Sequence, residues 1–401
     1  MTKPLAGVRV LDLSNIIAGP LCTYQLVQLG ADVIKVERPG TGDLSRKMGA
    51  DPAMGRHNMG ASFLSSNAGK RSITLNLQQE RGRELFRAMV AKADVVFENF
   101  RPGVMARLGL GYDDLKKIKP GLVYCAVSGF GQEGPLAKRP AYDQIIQGYC
   151  GLMSVTGTEE TGPFRAGYVA CDTMGAMTAA FAIVAALYRK QATGEGAFID
   201  VSMLDASLVT MAAWVISNYV NAGQTPRPLG NESHSAAPSG TFATKDGQIN
   251  LVNNEQKQFE ITCDVLGRPD LKTHPDYADR DDRLKHRAAL REELEAVLRT
   301  RTGAEWEEAF SAAGVPAGRI YSIPEILEHP HIKERRIVQT FAEAGHDGRD
   351  VTVSTRGYRF VGEDLDLDRP PPRLGQDSAD ILHEIGLDDD AIEALRKDGT
   401  I

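Results

Sequence analysis

The sequence is poor in cysteine, has no excess of basic residues and lacks long apolar runs. Its five cysteines are an odd number with no CxxC pair, which argues against a disulfide framework and indicates a reducing compartment. Lys and Arg total 46 against 53 Asp and Glu, so the net charge is -7. General nucleic-acid and membrane-surface binders carry the opposite charge. We therefore expect neither a nucleic acid nor a membrane as a partner.

The longest apolar stretch covers residues 174–188, whereas a membrane span needs about 20 residues. The amino terminus shows no apolar secretory region. Both features predict a cytoplasmic protein. At about 150 residues per domain, the 401 residues predict two to three domains.

Several catalytic and cofactor motifs are also missing. The sequence has no G-x-S-x-G, no H-E-x-x-H and no Walker lysine loop. The one tight histidine pair, His329 and His331, supplies too few ligands for a metal, so no metal site is expected. Residues 129–134 match GxGxxG, but Pro135 follows where a dinucleotide-binding helix would begin. This disfavours a nicotinamide site and leaves open whether the glycine loop closes over another site.

Short apolar runs alternate with helix-period segments through the first half of the chain. The predicted strands are 8–13, 31–36, 94–97, 122–127 and 198–203, and the predicted helices are 20–30, 80–93, 112–119, 174–190 and 204–221. Strands that alternate with helices indicate parallel pairing. The sequence therefore predicts an α/β fold with a doubly wound sheet.

The composition changes after residue 221 to loop-rich sequence, followed by a hairpin pattern and polar helices. The hairpin strands are predicted at 240–244 and 248–252, the helices at 255–266, 283–299 and 304–313, and later a strand at 350–360 and a helix at 388–396. A hairpin followed by helices is typical of an α+β unit. We expect a smaller α+β domain here.

Asp172 stands directly before the most apolar predicted helix of the chain. An aspartate at this position predicts an N-cap. A helix N-terminus also favours the ionised carboxylate, and an ionised carboxylate beside a glycine loop is suited to attack an acyl group. The two interpretations are compatible.

Several basic residues lie near predicted strands, and three of them stand just past strand carboxyl ends, where open α/β sheets bind ligands. They are Arg38, Lys70, Arg71, Arg101, Arg107, Lys138 and Arg139. Any single one of them is more typical of a solvated surface charge. As a set they predict a polyanionic ligand.

The sequence resembles the class III CoA-transferases, the family of formyl-CoA:oxalate and carnitine CoA-transferases, which also contains α-methylacyl-CoA racemase. The resemblance covers essentially the whole chain. It rests on the motifs LDL (11–13), AGP (18–20), GADVIKVERPGTGD (30–43), KRSITL (70–75), ENFRPG (98–103), SGFGQEGP (128–135) and RPAYD (139–143).

The resemblance implies an interlocked, ring-like homodimer. Each subunit would have a Rossmann-like large domain built from both chain ends and a small α+β domain between them. The large domain would comprise 1–222 and, at the C-terminal end, 331–401, with the small domain at 223–330. Coenzyme A or acyl-CoA would be a substrate, with no tightly bound cofactor.

The resemblance also assigns residues. Asp172 corresponds to the family's catalytic aspartate. The positions that correspond to the family's CoA-binding residues are Ile16, Ile17, Ala18, Arg38, Leu75, Asn99, Phe100 and Arg107. A basic residue expected near position 140 is Pro140 here, so Lys138 or Arg139 takes its phosphate contact.

Gly129, Gly131 and Tyr142 are expected to form the substrate loop, and Tyr142 also indicates which reaction of the family to expect. Racemases of this fold carry a histidine at the position of Tyr142, because removal of an α-proton needs a base that titrates near neutrality. Transfer of CoA from an acyl-CoA to a carboxylic acid is therefore favoured, through mixed anhydrides and an aspartyl-CoA thioester. The expected acceptor is a small dicarboxylate and the expected donor succinyl-CoA. An acyl-CoA racemase or isomerase and a non-catalytic CoA-binding protein remain alternatives.

The segment 231–237, expected to replace a glycine-rich active-site loop of the family, contains no glycine.

Overall fold

A computed structural model describes residues 2–401. They divide into two compact units. The first unit comprises the chain up to Leu152 together with Arg165–Thr225 and Arg335–Ile401, and the second comprises Met153–Phe164 and Pro226–Glu334. The first unit therefore takes in segments from both halves of the sequence.

The strands and helices follow one another in the alternating order that the sequence predicts. The strands are β1 (Arg9–Asp12), β2 (Asp32–Glu37), β3 (Arg71–Thr74), β4 (Val95–Glu98), β5 (Val123–Ser128), β6 (Ala197–Ser202), β7 (Ser239–Ala243), β8 (Gln248–Val252), β9 (Ala317–Arg319), β10 (Val338–Phe341) and β11 (Val351–Ser354). The helices are α1 (Ala18–Gln28), α2 (Pro52–Arg56), α3 (Ala61–Leu64), α4 (Glu80–Val90), α5 (Val104–Arg107), α6 (Tyr112–Ile118), α7 (Asp143–Tyr149), α8 (Ala170–Thr193), α9 (Met203–Thr210), α10 (Ser217–Ala222), α11 (Gln256–Val265), α12 (Arg280–Lys285), α13 (Arg287–Leu298), α14 (Gly303–Ala312), α15 (Ile323–Glu328), α16 (Pro330–Arg335), α17 (Ser378–Glu384) and α18 (Asp389–Lys397).

The first unit is built on a six-stranded sheet in the order β3-β2-β1-β4-β5-β6. All five pairings are parallel. The chain winds outward in one direction from β1 to β3 and in the other direction from β4 to β6. The topological switch point therefore lies between β1 and β4, where open α/β sheets form a ligand crevice beyond the carboxyl ends of the strands. The predicted α/β fold with a parallel sheet is confirmed.

The core of the first unit lies on both faces of this sheet. Successive side chains of a strand point to opposite faces. In β1, Val10 joins a cluster with residues of α1 and α8, whereas Leu11 joins a second cluster with residues of α4, α6 and α17. Both side chains are completely buried. Strands covered on both faces need continuous apolar runs, and such runs are what made them recognisable in the sequence.

Helix α8 is the longest described helix, and by length and composition it could cross a membrane. Its small residues pack into the core, with Gly175, Ala176 and Ala179 buried against neighbouring elements. Its other face carries Phe181 and Tyr188, each 78% exposed. The helix begins at Ala170, four residues before its predicted start.

The predicted single helix over 204–221 is wrong, because the chain breaks between α9 and α10. Ala213 and Trp214 have non-helical backbone angles, with φ +67° at Trp214, and the two helices are bent by 80°. No proline or glycine marks this kink, so the apolar pattern continues across it. The predicted helix over 283–299 is also divided, at His286. The predicted strand over 350–360 is limited to β11, which pairs antiparallel with β10.

The second unit contains a three-stranded antiparallel sheet in the order β7-β8-β9. The predicted hairpin is present, with Ser239 opposite Val252 and Ala243 opposite Gln248. Helices α11, α13 and α14 contribute Phe259, Leu294 and Trp306 to its core, all of them buried. This unit therefore has a hydrophobic core of its own.

Candidate active site

A cavity of about 280 Å³ opens at the switch point of the parallel sheet. Its walls come from the turn after β1, the turn after β4, the glycine loop after β5 and the first turn of α8. Its lining includes Asn15, Ile16, Ile17, Ala18, Asn99, Phe100, Arg101, Gly129, Arg139, Tyr142 and Asp172. The fold thus places an acidic side chain and two arginines at the crevice where such sheets bind ligands.

The turn after β1 is held in a strained conformation. Ile16 has φ +70°, a region that a β-branched residue rarely adopts. Its backbone N–H donates to Asp43 Oδ1 at 2.9 Å. The amide of Asn99 fixes the preceding residue, since its Oδ1 accepts from Asn15 N at 2.8 Å and its Nδ2 donates to Asn15 O at 2.9 Å. These contacts hold the backbone of the turn against the cavity.

Two buried ion pairs lie behind this turn. Lys35 Nζ is 2.9 Å from Asp43 Oδ2, and Lys70 Nζ is 3.0 Å from Asp12 Oδ2, with all four side chains fully buried. Lys35 Nζ also donates to the carbonyl of Ser14 at 2.8 Å. Burial raises the pKa of Asp12, but the charges of Lys70 and Lys35 outweigh it and leave that pKa well below its usual range. Burial lowers the pKa of Lys70 to about 8, against the opposing effect of Asp12.

These ion pairs also correct the expected role of two basic residues. Lys70 is completely buried, and the neighbouring Arg71 pairs with Asp32 and Glu384. Neither side chain lines the cavity. Their function is to hold the sheet and the turn after β1, rather than to bind an anion.

Asp172 is the third residue of α8, so the predicted N-cap role is wrong. The helix begins two residues earlier, and Val169 at the cap position makes no side-chain capping bond. Asp143, the first residue of α7, caps the helix instead. Its Oδ1 accepts from Cys171 N at 2.8 Å and from Asp172 N at 3.2 Å. Such a cap from a distant segment leaves no local sequence signal.

The Asp172 side chain lines the cavity and stays without a hydrogen-bond partner among residues 2–401. Burial, and then the charge of Asp143, raises its pKa from 3.8 to about 7. The absence of stabilising hydrogen bonds leaves the ionised form poorly solvated. An ionised carboxylate in this environment is both more basic and more nucleophilic than one in water.

A second carboxyl group of raised pKa, Glu98, was not assigned from the sequence. Burial raises its pKa to about 7, against the effect of hydrogen bonds from Phe100 N and the Tyr124 hydroxyl. The bond from Phe100 N to Glu98 Oε2 is 2.6 Å long. Glu98 therefore fixes the turn after β4. Its position in the sequence ENFRPG (98–103) is the signal from which this role could have been predicted.

A second cavity, of about 680 Å³, adjoins the first. It is lined by Arg38, Lys47 and Leu75 among other residues, and it shares Asn15 and Phe100 with the first cavity. The turns after β1 and β4 therefore contribute to the walls of both cavities. The second cavity carries Arg38 and Lys47, and the first carries Asp172 together with Arg101 and Arg139.

The structure brings together most of the residues predicted for the site. Ile16, Ile17, Ala18, Asn99, Phe100, Gly129, Arg139, Tyr142 and Asp172 line the first cavity, and Arg38, Leu75 and Phe100 line the second. Arg107, Lys138 and Gly131 line neither. Of the two basic residues expected near position 140, Arg139 faces the first cavity, and its Nη1 donates to the Tyr149 hydroxyl at 2.7 Å. Arg101 also lines the first cavity, although the resemblance assigned it no role.

The glycine loop contacts the cavity through Gly129. A Cβ at Gly129 would lie 2.5 Å from the Ala141 Cβ, so only glycine fits there. Gly131 has φ +85° and faces Asp200 instead. Asp200 Oδ2 accepts from Gln132 N at 2.9 Å and anchors this part of the loop.

The segment 231–237 is tied to helices of the second unit. Arginine side chains donate to its backbone carbonyls: Arg280 to Ser235, Arg283 to Ala237 and Arg287 to Ser233. Glu232 within the segment pairs with Arg291. Among residues 2–401, no group of three or more His, Cys, Asp or Glu side chains is arranged to hold a metal ion.

A parallel sheet with a carboxyl group of raised pKa and several cationic side chains at its switch point is typical of an α/β enzyme that acts on an anionic ligand. The chain belongs to CoA-transferase family III, whose family model matches residues 5–378. It is therefore an acyl-CoA-dependent CoA-transferase, and the resemblance read from the sequence is confirmed.

Curated relatives and solved structures agree with this assignment. The chain is 36% identical to succinyl-CoA:glutarate CoA-transferase of Mus musculus, over 100% of this chain and 90% of that protein. It is 38% identical to acetyl-CoA:oxalate CoA-transferase of Acetobacter aceti, over 95% of each. A CAIB/BAIF family protein from Brucella suis superposes with a TM-score of 0.84 at 34% identity, covering 96% of this chain and 100% of that one.

Proposed function

We propose that the protein transfers CoA from succinyl-CoA to a small dicarboxylic acid through covalent intermediates on Asp172. The observation that supports this proposal most strongly concerns the Asp172 carboxylate. It lines the first cavity without a hydrogen-bond partner among the described residues, and its pKa is about 7. Relatives named for succinyl-CoA with glutarate and with mesaconate support the choice of substrates, at 36% and 32% identity.

The two cavities together suit a long, anionic thioester. Arg38 and Lys47 in the second cavity would meet the phosphates of CoA. The pantetheine arm would then pass the turns at Asn15 and Phe100, which both cavities share, and bring the thioester to Asp172. Arg101 and Arg139 at the first cavity support an acceptor with a second carboxylate, because arginine pairs with carboxylates through two parallel hydrogen bonds.

The reaction starts when the Asp172 carboxylate attacks the thioester carbonyl of the donor. The carbon–sulfur bond breaks, CoA leaves as a thiolate, and a mixed anhydride of Asp172 and the donor acyl group remains. The thiolate attacks the aspartyl carbonyl of the anhydride, which releases the donor acid and forms an aspartyl-CoA thioester. The acceptor carboxylate then attacks the carbonyl of this thioester, which expels the CoA thiolate and forms a second mixed anhydride. The thiolate attacks the acceptor carbonyl of that anhydride, which yields the acceptor acyl-CoA and releases the Asp172 carboxylate for the next turnover. Nucleophilic catalysis of this kind divides one difficult exchange into easier steps.

The covalent intermediates demand a site that limits water, because anhydrides hydrolyse. The apolar side chains of Ile16 and Ile17 on the cavity wall are suited to that task. Backbone N–H groups near Gly129 are candidates to stabilise the oxyanions, a contribution of about 3–4 kcal/mol per donor in measured enzymes.

We further propose that the active form is an interlocked homodimer. Large apolar side chains lie exposed on α8 and on the α9–α10 segment, among them Phe181, Tyr188, Val209, Trp214 and Val220. Contiguous exposed apolar surface is typical of a protein–protein interface. Light scattering on a size-exclusion column should give twice the mass of 43.5 kDa, and a monomer would contradict the proposal.

The test of the function compares Asp172→Asn with Asp205→Asn, an exposed carboxylate in the first turn of α9. Exchange between succinyl-CoA and labelled dicarboxylates should be lost in the first variant, by about 10³-fold or more, because a nucleophile is removed. It should be unchanged in the second variant. An Asp172→Asn enzyme that exchanges CoA at the wild-type rate would refute the mechanism.

A carboxyl group with a pKa near 7 is also suited to remove an α-proton, which keeps racemisation as the second candidate. The same assay run in deuterium oxide separates the two reactions. Incorporation of deuterium at the α-carbon without an acceptor acid would support a racemase. Exchange that depends on the acceptor, without deuterium at that carbon, supports the transferase.

A further inference from the structure

We infer that Asp143 is a positioning residue for Asp172: it fixes the backbone from which the Asp172 side chain extends, and it places a buried charge without a cationic partner near that carboxylate. This inference rests on the proposed function, because it assigns a role toward the proposed nucleophile.

The geometry of the contact ties Asp143 directly to the nucleophile. One oxygen of Asp143, Oδ1, accepts from the backbone N–H groups of both Cys171 and Asp172, at 2.8 Å and 3.2 Å. These are two of the N–H groups that a helix leaves without intrahelical partners at its start. Because Val169 provides no side-chain cap, the position of the first turn of α8 depends on Asp143.

Asp143 is itself held rigidly from its other side. Gln147, one turn further along α7, donates from Nε2 to Asp143 Oδ2 at 2.6 Å. The Gln147 side chain is completely buried, and its Oε1 accepts from Ala166 N at 2.8 Å. Both oxygens of Asp143 are therefore committed to specific donors, and the carboxylate has little freedom to rotate away from Asp172.

The charge of Asp143 has no cationic partner within 4 Å among residues 2–401, although the residue is only 6% exposed. After burial, this charge is the second cause of the raised pKa of Asp172. Other titratable or charged groups lie on the cavity lining and on the elements around Asp172, namely Arg101, Arg139, Tyr142, Cys150, Cys171, Asp200, Asp205 and Cys22. None of them hydrogen-bonds to the Asp172 carboxylate. A nearby anion therefore increases the basicity of the nucleophile, and with it the reactivity of the ionised form toward a thioester.

The decisive variant is Asp143→Asn, which keeps the size of the side chain and one acceptor oxygen but removes the charge. The midpoint of the pH profile of kcat/KM for succinyl-CoA should move to lower pH by about 0.5 units or more, as the loss of a nearby like charge requires. The KM for succinyl-CoA should stay within about twofold, since Asp143 is placed to act on Asp172 rather than on substrate. A matched control is Asp388→Asn, which alters the N-cap of α18 and should leave the midpoint in place.

A second variant, Asp143→Glu, keeps the charge and displaces the acceptor oxygen, and it serves also where Asp143→Asn does not fold. We expect a midpoint near that of the wild type together with a kcat reduced by about tenfold, because the turn that carries Asp172 is shifted. A midpoint unchanged in folded Asp143→Asn would overturn the electrostatic role. A wild-type kcat in Asp143→Glu would overturn the positioning role.

Failure of this inference can be told apart from failure of the proposed function. Wild-type enzyme is incubated with succinyl-CoA and treated with hydroxylamine, and the peptide that contains Asp172 is examined by mass spectrometry. An unmodified Asp172 in the wild type refutes the proposed function and the inference with it. A hydroxamate at Asp172, combined with an unchanged midpoint in Asp143→Asn, refutes the inference alone.

Discussion

Replacement of Asp172 by asparagine should make the folded protein more stable at neutral pH while it abolishes activity. The folded state raises the pKa of this carboxyl from 3.8 to about 7. The folded protein therefore binds a proton more tightly than the unfolded chain between these two values, and ionisation costs stability as pH rises through that window. At 1.36 kcal/mol per pKa unit, the cost reaches about 4 kcal/mol at pH 8 and about 2 kcal/mol at pH 5.5. Asparagine has nearly the same shape and carries no charge, so it removes this cost.

The assay is chemical denaturation at pH 8 and pH 5.5, followed by far-ultraviolet circular dichroism. Asp172→Asn should exceed the wild type in free energy of unfolding by about 4 kcal/mol at the higher pH and by about half as much at the lower one. Asp205→Asn, which alters an exposed carboxylate, should show no such dependence. An Asp172→Asn protein that is less stable than the wild type at pH 8 would refute the reasoning, because the buried charge would then be a stabilising one. A buried active-site charge of this kind lowers the free energy of unfolding but is needed for the reaction, which is one cause of the trade-off between stability and activity.

Three further predictions concern the same site. The kcat/KM of the wild type should fall about tenfold per pH unit below pH 7, because Asp172 is then protonated; a profile that stays flat down to pH 5 would contradict the raised pKa. Lys70→Met should lower the free energy of unfolding by about 3–5 kcal/mol, since it leaves Asp12 charged and buried without its partner. Denaturant titration measures this free energy, and a loss below about 1 kcal/mol would contradict the prediction. Gly129→Val should reduce kcat/KM for acyl-CoA by about tenfold or more, because even a Cβ at this position would lie 2.5 Å from the Ala141 Cβ. Steady-state kinetics measure this effect, and a variant with the wild-type kcat/KM would show that the loop has room to adjust.

Much of the fold was accessible from the sequence because buried parallel strands carry a strong local signal. The run around Val10 and Leu11 is apolar on both faces of the sheet, so β1 could be recognised without knowledge of its partners. The break at Trp214 could not be recognised. Its positive φ depends on packing after the chain has folded, and neither glycine nor proline marks the position.

The candidate site was predictable in part for a similar reason. Residues at the ends of strands, such as Arg38 and Asn99, follow recognisable runs, and the switch point brings those ends together. Lys70 looked like an available cation, but it is enclosed with Asp12 in the interior, and only the tertiary structure shows that pairing. The cap on α8 was misassigned to Asp172 because the true acceptor, Asp143, is separated from it by 29 residues.

The central claim, that Asp172 carries the transferred group, is tested most directly by isolating the intermediate. Wild-type enzyme would be mixed with succinyl-CoA in the absence of an acceptor, quenched with hydroxylamine within seconds, digested and mapped by mass spectrometry. A hydroxamate is expected on the peptide that contains Asp172, and none on the corresponding peptide of Asp172→Asn. Modification at another carboxylate, or full CoA exchange without any modified peptide, would contradict it.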